Sequence, residues 1–154
     1  MKYIELTIRN ADIFQELNKI TAYSGAKNES NASSDTIDRV TAVQEDLVLI
    51  DRYREMACSS LVDSLKEFVS SADFSGGALQ LTLEASGAYD DALTPALRSD
   101  IFSFITADIA ARWFAMTWKE KCEEYKNEAS KFLADAGRKL HHRLPPRRKS
   151  KSPV

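Results

Sequence analysis

The sequence predicts an α+β fold that is mainly helical: a bundle of about four helices with a small two-stranded β-sheet. Two short segments alternate apolar and polar residues with period two, which is typical of strands with one buried face. Longer segments repeat apolar residues every three or four positions, which is typical of amphipathic helices. A chain of 154 residues that is 44% hydrophobic forms a single core without cross-links. We expect one globular, mainly helical domain over residues 1–143 and a basic, disordered tail over residues 144–154.

The two predicted strands lie near residues 3–9 and 78–85. Ile4-Glu5-Leu6-Thr7-Ile8 and Leu79-Gln80-Leu81-Thr82-Leu83 share one apolar/polar pattern. Because an isolated strand is marginal in water, we expect the two to pair and to place their apolar face on helices.

The first two helices follow from cap signals and apolar stripes. Asn10 is a helix cap, and the helix after it carries one apolar stripe, formed by Ile13, Phe14, Leu17 and Ile20. The polar composition of Ser24–Asp35 is typical of a mobile loop. The capping-box pair Thr41 and Gln44 then begins a long helix that we expect to reach about Ser70.

The two C-terminal helices are predicted to meet at a sharp bend. Thr94-Pro95 is a strong helix start, with Thr as the cap and Pro in the first turn. A second capping box, Thr117 with Glu120, interrupts this most apolar helix. The last helix carries a single apolar seam, formed by Trp118, Cys122, Tyr125, Ala129, Phe132, Ala136 and Leu140. Pro145-Pro146 ends it.

Charge is divided unevenly along the chain. All 23 acids precede residue 137, where they outnumber the cations by about nine, and seven of the 21 Lys and Arg residues follow without an acid. These seven are the candidate contacts for a partner or nucleic acid: Arg138, Lys139, Arg143, Arg147, Arg148, Lys149 and Lys151. Three interpretations stay open: a solvated end with no partner, non-specific contact with DNA phosphates, or docking on an acidic protein surface.

Other candidate sites have simpler interpretations. His141 and His142 are adjacent, so they point about 100° apart on a helix and do not suit one metal ion; they fit a cationic helix end. Asp90 and Asp91 fit a turn before a helix. Asp108 lies four residues before Arg112, which predicts a partly buried ion pair. We expect no metal, no cofactor and no small-molecule substrate.

Trp113 and Trp118 bracket the predicted bend and are candidate subunit contacts. Cys58 and Cys122 suit reduced, buried thiols. The chain begins without the apolar region of a signal peptide and contains no membrane-spanning run, so we expect a cytoplasmic protein that does not contact membranes. Phosphate-binding glycine motifs and a catalytic Ser/His/Asp pattern are missing from the sequence.

Several stretches together carry a resemblance. They are Thr21-Ala22-Tyr23-Ser24-Gly25-Ala26-Lys27, Tyr89-Asp90-Asp91-Ala92-Leu93-Thr94, Ile101-Phe102-Ser103-Phe104, Ala111-Arg112-Trp113-Phe114 with Thr117, and Arg138-Lys139-Leu140-His141-His142-Arg143. In this order they resemble small structural proteins of tailed phages and prophages. The resemblance implies a head–tail connector or adaptor subunit, which assembles into a ring with copies of itself or with other virion proteins and is then virion-associated.

These observations favour a non-enzymatic structural or assembly protein. The alternative is a small, non-specific nucleic-acid-binding protein that acts through its basic C-terminal tail.

Overall fold

The computed structural model describes residues 1–27 and 46–146, with side chains described through residue 23 in the first range. The described chain has a mainly helical α+β architecture, as predicted. Its elements in order are β1 (Lys2–Arg9), α1 (Asn10–Lys27), α2 (Leu47–Ser64), β2 (Val69–Asp73), β3 (Ala78–Ala85), α3 (Thr94–Thr117) and α4 (Lys119–His141). A single 3-10 turn, Asp91–Leu93, precedes α3.

The sheet has three antiparallel strands in the order β1-β3-β2, so the prediction of two strands is wrong by one. Both predicted strands are confirmed and pair with each other, with Leu6 opposite Leu81. The missed strand is β2. A register irregularity between Val69 and Ser71 breaks its alternation, which is why period-two analysis does not detect it.

The helix before β2 ends earlier than predicted. We expected it to reach about Ser70, but α2 stops at Ser64, and the amides of Phe68 and Val69 then donate to the Leu65 carbonyl at 2.8 and 3.1 Å. The apolar series continues through this turn at helical spacing, so sequence alone does not show the break. The next residues form backbone hydrogen bonds with β3, and these compete with the hydrogen bonds that would continue the helix.

The first helix is longer than predicted. It continues to Lys27, so the loop prediction is wrong for Ser24–Lys27. Leu17 and Thr21 are both fully buried on this helix, and such packing outweighs low local helix propensity. The remainder of the predicted loop and the Thr41/Gln44 capping box lie outside the described residues.

Asn10 begins α1 but does not cap it as predicted. Its amide nitrogen donates to the Gly76 carbonyl at 3.2 Å, and its backbone N–H donates to the Gly77 carbonyl at 3.0 Å. Its side-chain oxygen has no hydrogen-bond partner within the described chain. Asn10 therefore ties the start of α1 to the turn between β2 and β3.

The start of α3 also differs from prediction. Asp90, not Thr94, is the capping side chain: it accepts a hydrogen bond from the Ala92 amide at 3.0 Å and caps the 3-10 turn. Thr94 is already helical, and its hydroxyl lies 3.3 Å from the Tyr89 hydroxyl. Pro95 lies in the first turn of α3, as predicted.

The bend between α3 and α4 is confirmed, although the capping box is not formed. Trp118 is extended, with φ −155° and ψ 93°, and no side chain caps the start of α4. The Thr117 hydroxyl instead donates back to the Trp113 carbonyl at 3.2 Å. One extended residue between two helices is enough to reverse the chain.

Helix α3 is the centre of the core. The apolar face of the sheet, α1, α2 and α4 all contact it. Its interior positions include Leu97, Ile101, Ile105, Ile109 and Phe114, each with no exposed surface. The predicted seam of α4 is confirmed at Cys122, Ala129, Ala136 and Leu140, all buried. Among the described helices, none is long and apolar enough to span a membrane.

Phe114→Ala is expected to destabilise the fold by about 3–5 kcal/mol, because it leaves a cavity in a core that relaxes only partly. Phe114 is fully buried, and its ring stacks on Tyr125 with centroids 5.4 Å apart. Urea unfolding monitored by circular dichroism measures the change. Val48→Ala is the matched control: Val48 is 86% exposed, so its free energy of unfolding is expected to shift by less than about 0.5 kcal/mol.

Candidate functional site

The basic end of the chain is the principal candidate site, and the structure divides its seven cations into two groups. Two belong to the last turns of α4. The side chain of Arg138 forms an ion pair with Asp135, and that of Lys139 forms one with Asp100 on α3. A partner that contacts Arg138 or Lys139 must therefore replace an existing ion pair.

The cations beyond α4 are placed differently. Arg143 is exposed and lines an open groove at one end of the sheet. Arg147, Arg148, Lys149 and Lys151 lie outside the described residues. The basic arm that is available to a partner thus begins at Arg143.

The end of α4 is anchored to the sheet by two contacts. The His141 ring packs edge-on against Phe68, with centroids 4.9 Å apart. Two residues past the helix cap, the Leu144 amide donates to the Ala88 carbonyl at 2.8 Å. These contacts direct the chain toward the end of the sheet where β1 begins and β3 ends.

His141 and His142 take the positions expected of a cationic helix end, with Arg138 and Lys139 in the same last turn. Favourable interaction with the helix dipole explains their clustering there. Within the part of the chain that the structure describes, no three His, Cys, Asp or Glu side chains are grouped to hold a metal ion.

The two tryptophans at the bend differ in exposure. Trp113 is buried in the core, with only 5% of its surface exposed. Trp118 is half-buried and covered on one side by Lys121, whose Nζ lies 5.6 Å from the ring centroid. Of the two, Trp118 is the more accessible for a subunit contact.

The remaining candidates form ordinary structural pairs. The Arg112 Nε donates to the Asp108 carboxylate at 3.0 Å, which confirms the predicted ion pair. Asp91 pairs with Lys2 at 2.8 Å. That contact ties the 3-10 turn to β1.

Sequence reasoning missed a buried arginine in α2. The Arg54 side chain is 5% exposed; its Nε donates to Asp51 at 2.9 Å and its Nη1 to the Phe74 carbonyl at 3.0 Å. The only sequence signal was an acid three residues earlier. Arg54 therefore links α2 to the residue that follows β2 and has a structural role.

Both cysteines are buried, as predicted. Burial raises the pKa of the Cys58 thiol to about 11, against the opposing effect of nearby Arg54. A thiol held in its protonated form at neutral pH is a poor nucleophile.

An exposed apolar patch lies where α2 passes the end of α3. Met116 is 58% exposed and Met56 is 41% exposed, and the Tyr53 hydroxyl contacts the Met116 sulfur at 3.4 Å. Arg112 lies beside Met56. Met, Tyr and Arg are enriched in the centres of protein interfaces, so this Met56–Met116 patch is a second candidate contact surface.

Comparison of the chain with protein-family models, with curated proteins and with solved structures gave no match.

The Asp100–Lys139 pair is expected to contribute a coupling free energy of about 1–2 kcal/mol, because both side chains are mostly buried. A double-mutant cycle with Asp100→Asn and Lys139→Met, measured by urea unfolding, gives this value. The same cycle on Glu123 and Lys126, which are both more than half exposed, is the control and should give less than about 0.5 kcal/mol. Equal couplings for the two pairs would contradict the interpretation.

Stability is expected to fall between about pH 9 and pH 11 through Cys58. In that range the unfolded thiol loses its proton, while the buried thiol keeps it, since its pKa is raised to about 11. The unfolded state therefore binds fewer protons, and stability falls as pH rises, by up to about 2–3 kcal/mol. Chemical unfolding of wild type and Cys58→Ala across this range measures the effect. Cys58→Ala is less stable overall, and its free energy of unfolding should decrease less with rising pH than that of wild type.

Proposed function

We propose that this chain is a non-enzymatic assembly protein, in its concrete form a head–tail connector-like subunit of a tailed phage or prophage. The observation that carries the proposal is the division of charge: an acidic helical body ends in a basic arm that begins at Arg143. With both charges on one chain, the acidic body of each copy can face a neighbouring subunit, and the basic arm can contact a polyanion. Under this proposal the protein works in the cytoplasm and is then incorporated into a virion.

The Met56–Met116 patch supports self-association. It places the thioethers of Met56 and Met116 beside a tyrosine and an arginine on one exposed surface. The apolar side chains in the interior of the domain, by contrast, are buried. Trp118 is a further candidate contact at the α3–α4 bend. A contact between two different surfaces of identical copies generates a ring when the rotation closes.

The basic arm supports contact with DNA or with an acidic neighbouring subunit. Each cation that neutralises a phosphate contributes salt-dependent affinity without sequence preference. Within the described residues the arm has one cation, Arg143, and four more follow in the sequence. The same arm supports the alternative, a small, non-specific nucleic-acid-binding protein that acts through its basic C-terminal tail alone.

Self-association distinguishes the assembly protein from the nucleic-acid-binding protein. Met116→Glu combined with Met56→Glu is expected to lower self-association at least tenfold, because it places charge in the patch that packs between copies. Analytical ultracentrifugation over a range of concentrations measures this, and Asn127→Glu, on the exposed face of α4, is the control. A wild-type chain that remains monomeric at every concentration would contradict the assembly proposal.

Removing Arg147–Val154 tests the role of the arm in the same preparations. If the arm contacts DNA, the slope of log affinity against log salt should decrease by about 3–4, since four cations are removed. Fluorescence anisotropy with a short duplex measures the slope. A wild-type chain that self-associates but shows no salt-sensitive DNA binding assigns the arm to a protein neighbour.

A further inference from the structure

Strand β1 is a long and regular edge strand. The sheet order β1-β3-β2 places β1 at one edge, where its 8 residues pair with β3 without a register shift. The strand at the other edge, β2, has 5 residues and a register irregularity. Short or irregular edge strands resist pairing with another chain, whereas a long, regular edge is a template for it. The outer edge of β1 is therefore the edge that suits an added strand.

The hydrogen bonds of the sheet show which backbone groups of β1 face outward. Glu84 lies opposite Tyr3, and its N–H donates to the Phe68 carbonyl at 2.6 Å, on the side of β3 away from β1. In an antiparallel ladder, residues bonded to the neighbouring strand alternate with residues that point away from it. Every second residue of β1 thus turns its N–H and C=O groups to the outer edge: Tyr3, Glu5, Thr7 and Arg9.

Most of these outward groups have no partner. Within the described residues, the N–H and C=O groups of Tyr3 and Glu5 and the N–H of Thr7 form no hydrogen bond. The Thr7 carbonyl accepts from the exposed Arg98 side chain at 3.0 Å, and its second lone pair can accept from another strand as well. A strand added along this edge would satisfy these groups by backbone pairing.

The side chains of β1 complement those of a second β1 in one antiparallel alignment. With Leu6 beside Leu6 of the second copy, Glu5 lies opposite Thr7 of that copy. In the same alignment Tyr3 lies opposite Arg9 of the second copy. A threonine hydroxyl can donate to a carboxylate, and a guanidinium can stack on an aromatic ring. Both members of the second pair are exposed, Tyr3 by 64% of its surface.

The alternative alignments are less favourable. Sliding one strand by two residues brings Glu5 opposite Glu5 of the second copy, and like charges directly opposite each other are destabilising. Sliding it the other way moves Tyr3 past the end of β1 to the start of α1, which shortens the pairing. In the favoured alignment Arg9 keeps its ion pair with Asp12, because those hydrogen bonds, at 2.9 and 3.0 Å, lie in the guanidinium plane and leave its faces open. Length and charge therefore select a second copy of β1 as the added strand, in one register.

We infer that β1 of one copy pairs antiparallel with β1 of a second copy in this register, so that two sheets join into one continuous sheet around a two-fold axis at Leu6. Such a contact is isologous, because the same surface serves both copies. It lies beside the start of α3, near Arg98, whereas the Met56–Met116 patch lies near the end of α3. The pairing is thus a second contact surface, and it does not depend on the proposed function.

Amide hydrogen exchange tests the pairing directly. The chain with Met56→Glu and Met116→Glu is used, so that the patch does not contribute. In dilute protein the outward amides of Glu5 and Thr7 are expected to exchange quickly. At about 1 mM, where contacts with a Kd up to that value are populated, their exchange should slow severalfold. The amide of Leu6, which points to β3, should be protected at both concentrations. Unchanged exchange at Glu5 and Thr7 over this range would overturn the inference.

Charge at position 7 tests the register. Thr7→Glu places a carboxylate opposite Glu5 of the second copy, twice in each dimer, and is expected to weaken the dimer about 3–10-fold, whereas Thr7→Lys should strengthen it by a similar factor. Gln80→Glu is the matched control, because it adds the same charge to the exposed face one strand in from the edge. It should change the Kd of the dimer less than about twofold. Sedimentation equilibrium measures all three, and weakening by both substitutions of Thr7 would rule this register out.

Cross-linking separates the pairing from the proposed function. Glu5→Cys and Thr7→Cys chains, mixed under mild oxidation, should form a disulfide-linked pair, since Cβ atoms directly opposite each other are about 4.5–5.5 Å apart and the native cysteines are buried. Either chain alone should cross-link more slowly, and faster cross-linking of Thr7→Cys with itself would contradict the inference. Larger assemblies of the wild-type chain without this disulfide in the mixed variants would overturn the pairing and leave the proposed function standing. The disulfide in a chain that forms only dimers would support the pairing and contradict the proposed ring.

Discussion

The burial of one helix, α3, is the constraint on which the rest of the structure depends. Its apolar residues surround the helix axis, so no single layer could cover them, and a helix of that kind must be enclosed. The sheet, α1 and α2 cover part of α3, and α4 folds back along it after the bend at Trp118. Each large buried side chain contributes roughly 1.5–3 kcal/mol relative to exposure. Enclosure of α3 is consequently the dominant stabilising term in this domain.

The polar contacts of the structure hold the other elements in position around α3. Lys139 on α4 pairs with Asp100 on α3, Lys2 on β1 pairs with Asp91, and Arg54 on α2 reaches the carbonyl of Phe74. These groups are spaced along the core and connect elements that are far apart in the sequence. Partly buried ion pairs add less net free energy than apolar burial, but they disfavour alternative packings because an unpaired buried charge is costly.

Charge and topology together determine what the surface offers a partner. Arg143 lies at one end of the sheet because α4 folds back along α3 and the chain after it is held there by the Leu144–Ala88 hydrogen bond. The proposed function takes the start of the basic arm, Arg143, from this geometry. The Met56–Met116 patch lies elsewhere, on the surface of α2 and the end of α3.

Local patterns in the sequence were sufficient for the elements whose hydrophobic period is regular. The alternation of β1 and β3, the seam of α4, the bend at Trp118 and the Asp108–Arg112 pair all depend on neighbours within a few residues, and all were predicted. The helix caps were less predictable, because Thr94 and Thr117 have other partners a few residues away and Asn10 donates to Gly76, 66 positions along the chain. Only tertiary structure decided where α2 ends, that β2 pairs with β3, that Arg54 is buried, and that Glu67 and Glu84 lie beside Arg143. These features depend on contacts between residues about 7 to 76 positions apart. Their free energy is set by packing and backbone pairing and leaves no local periodic signal.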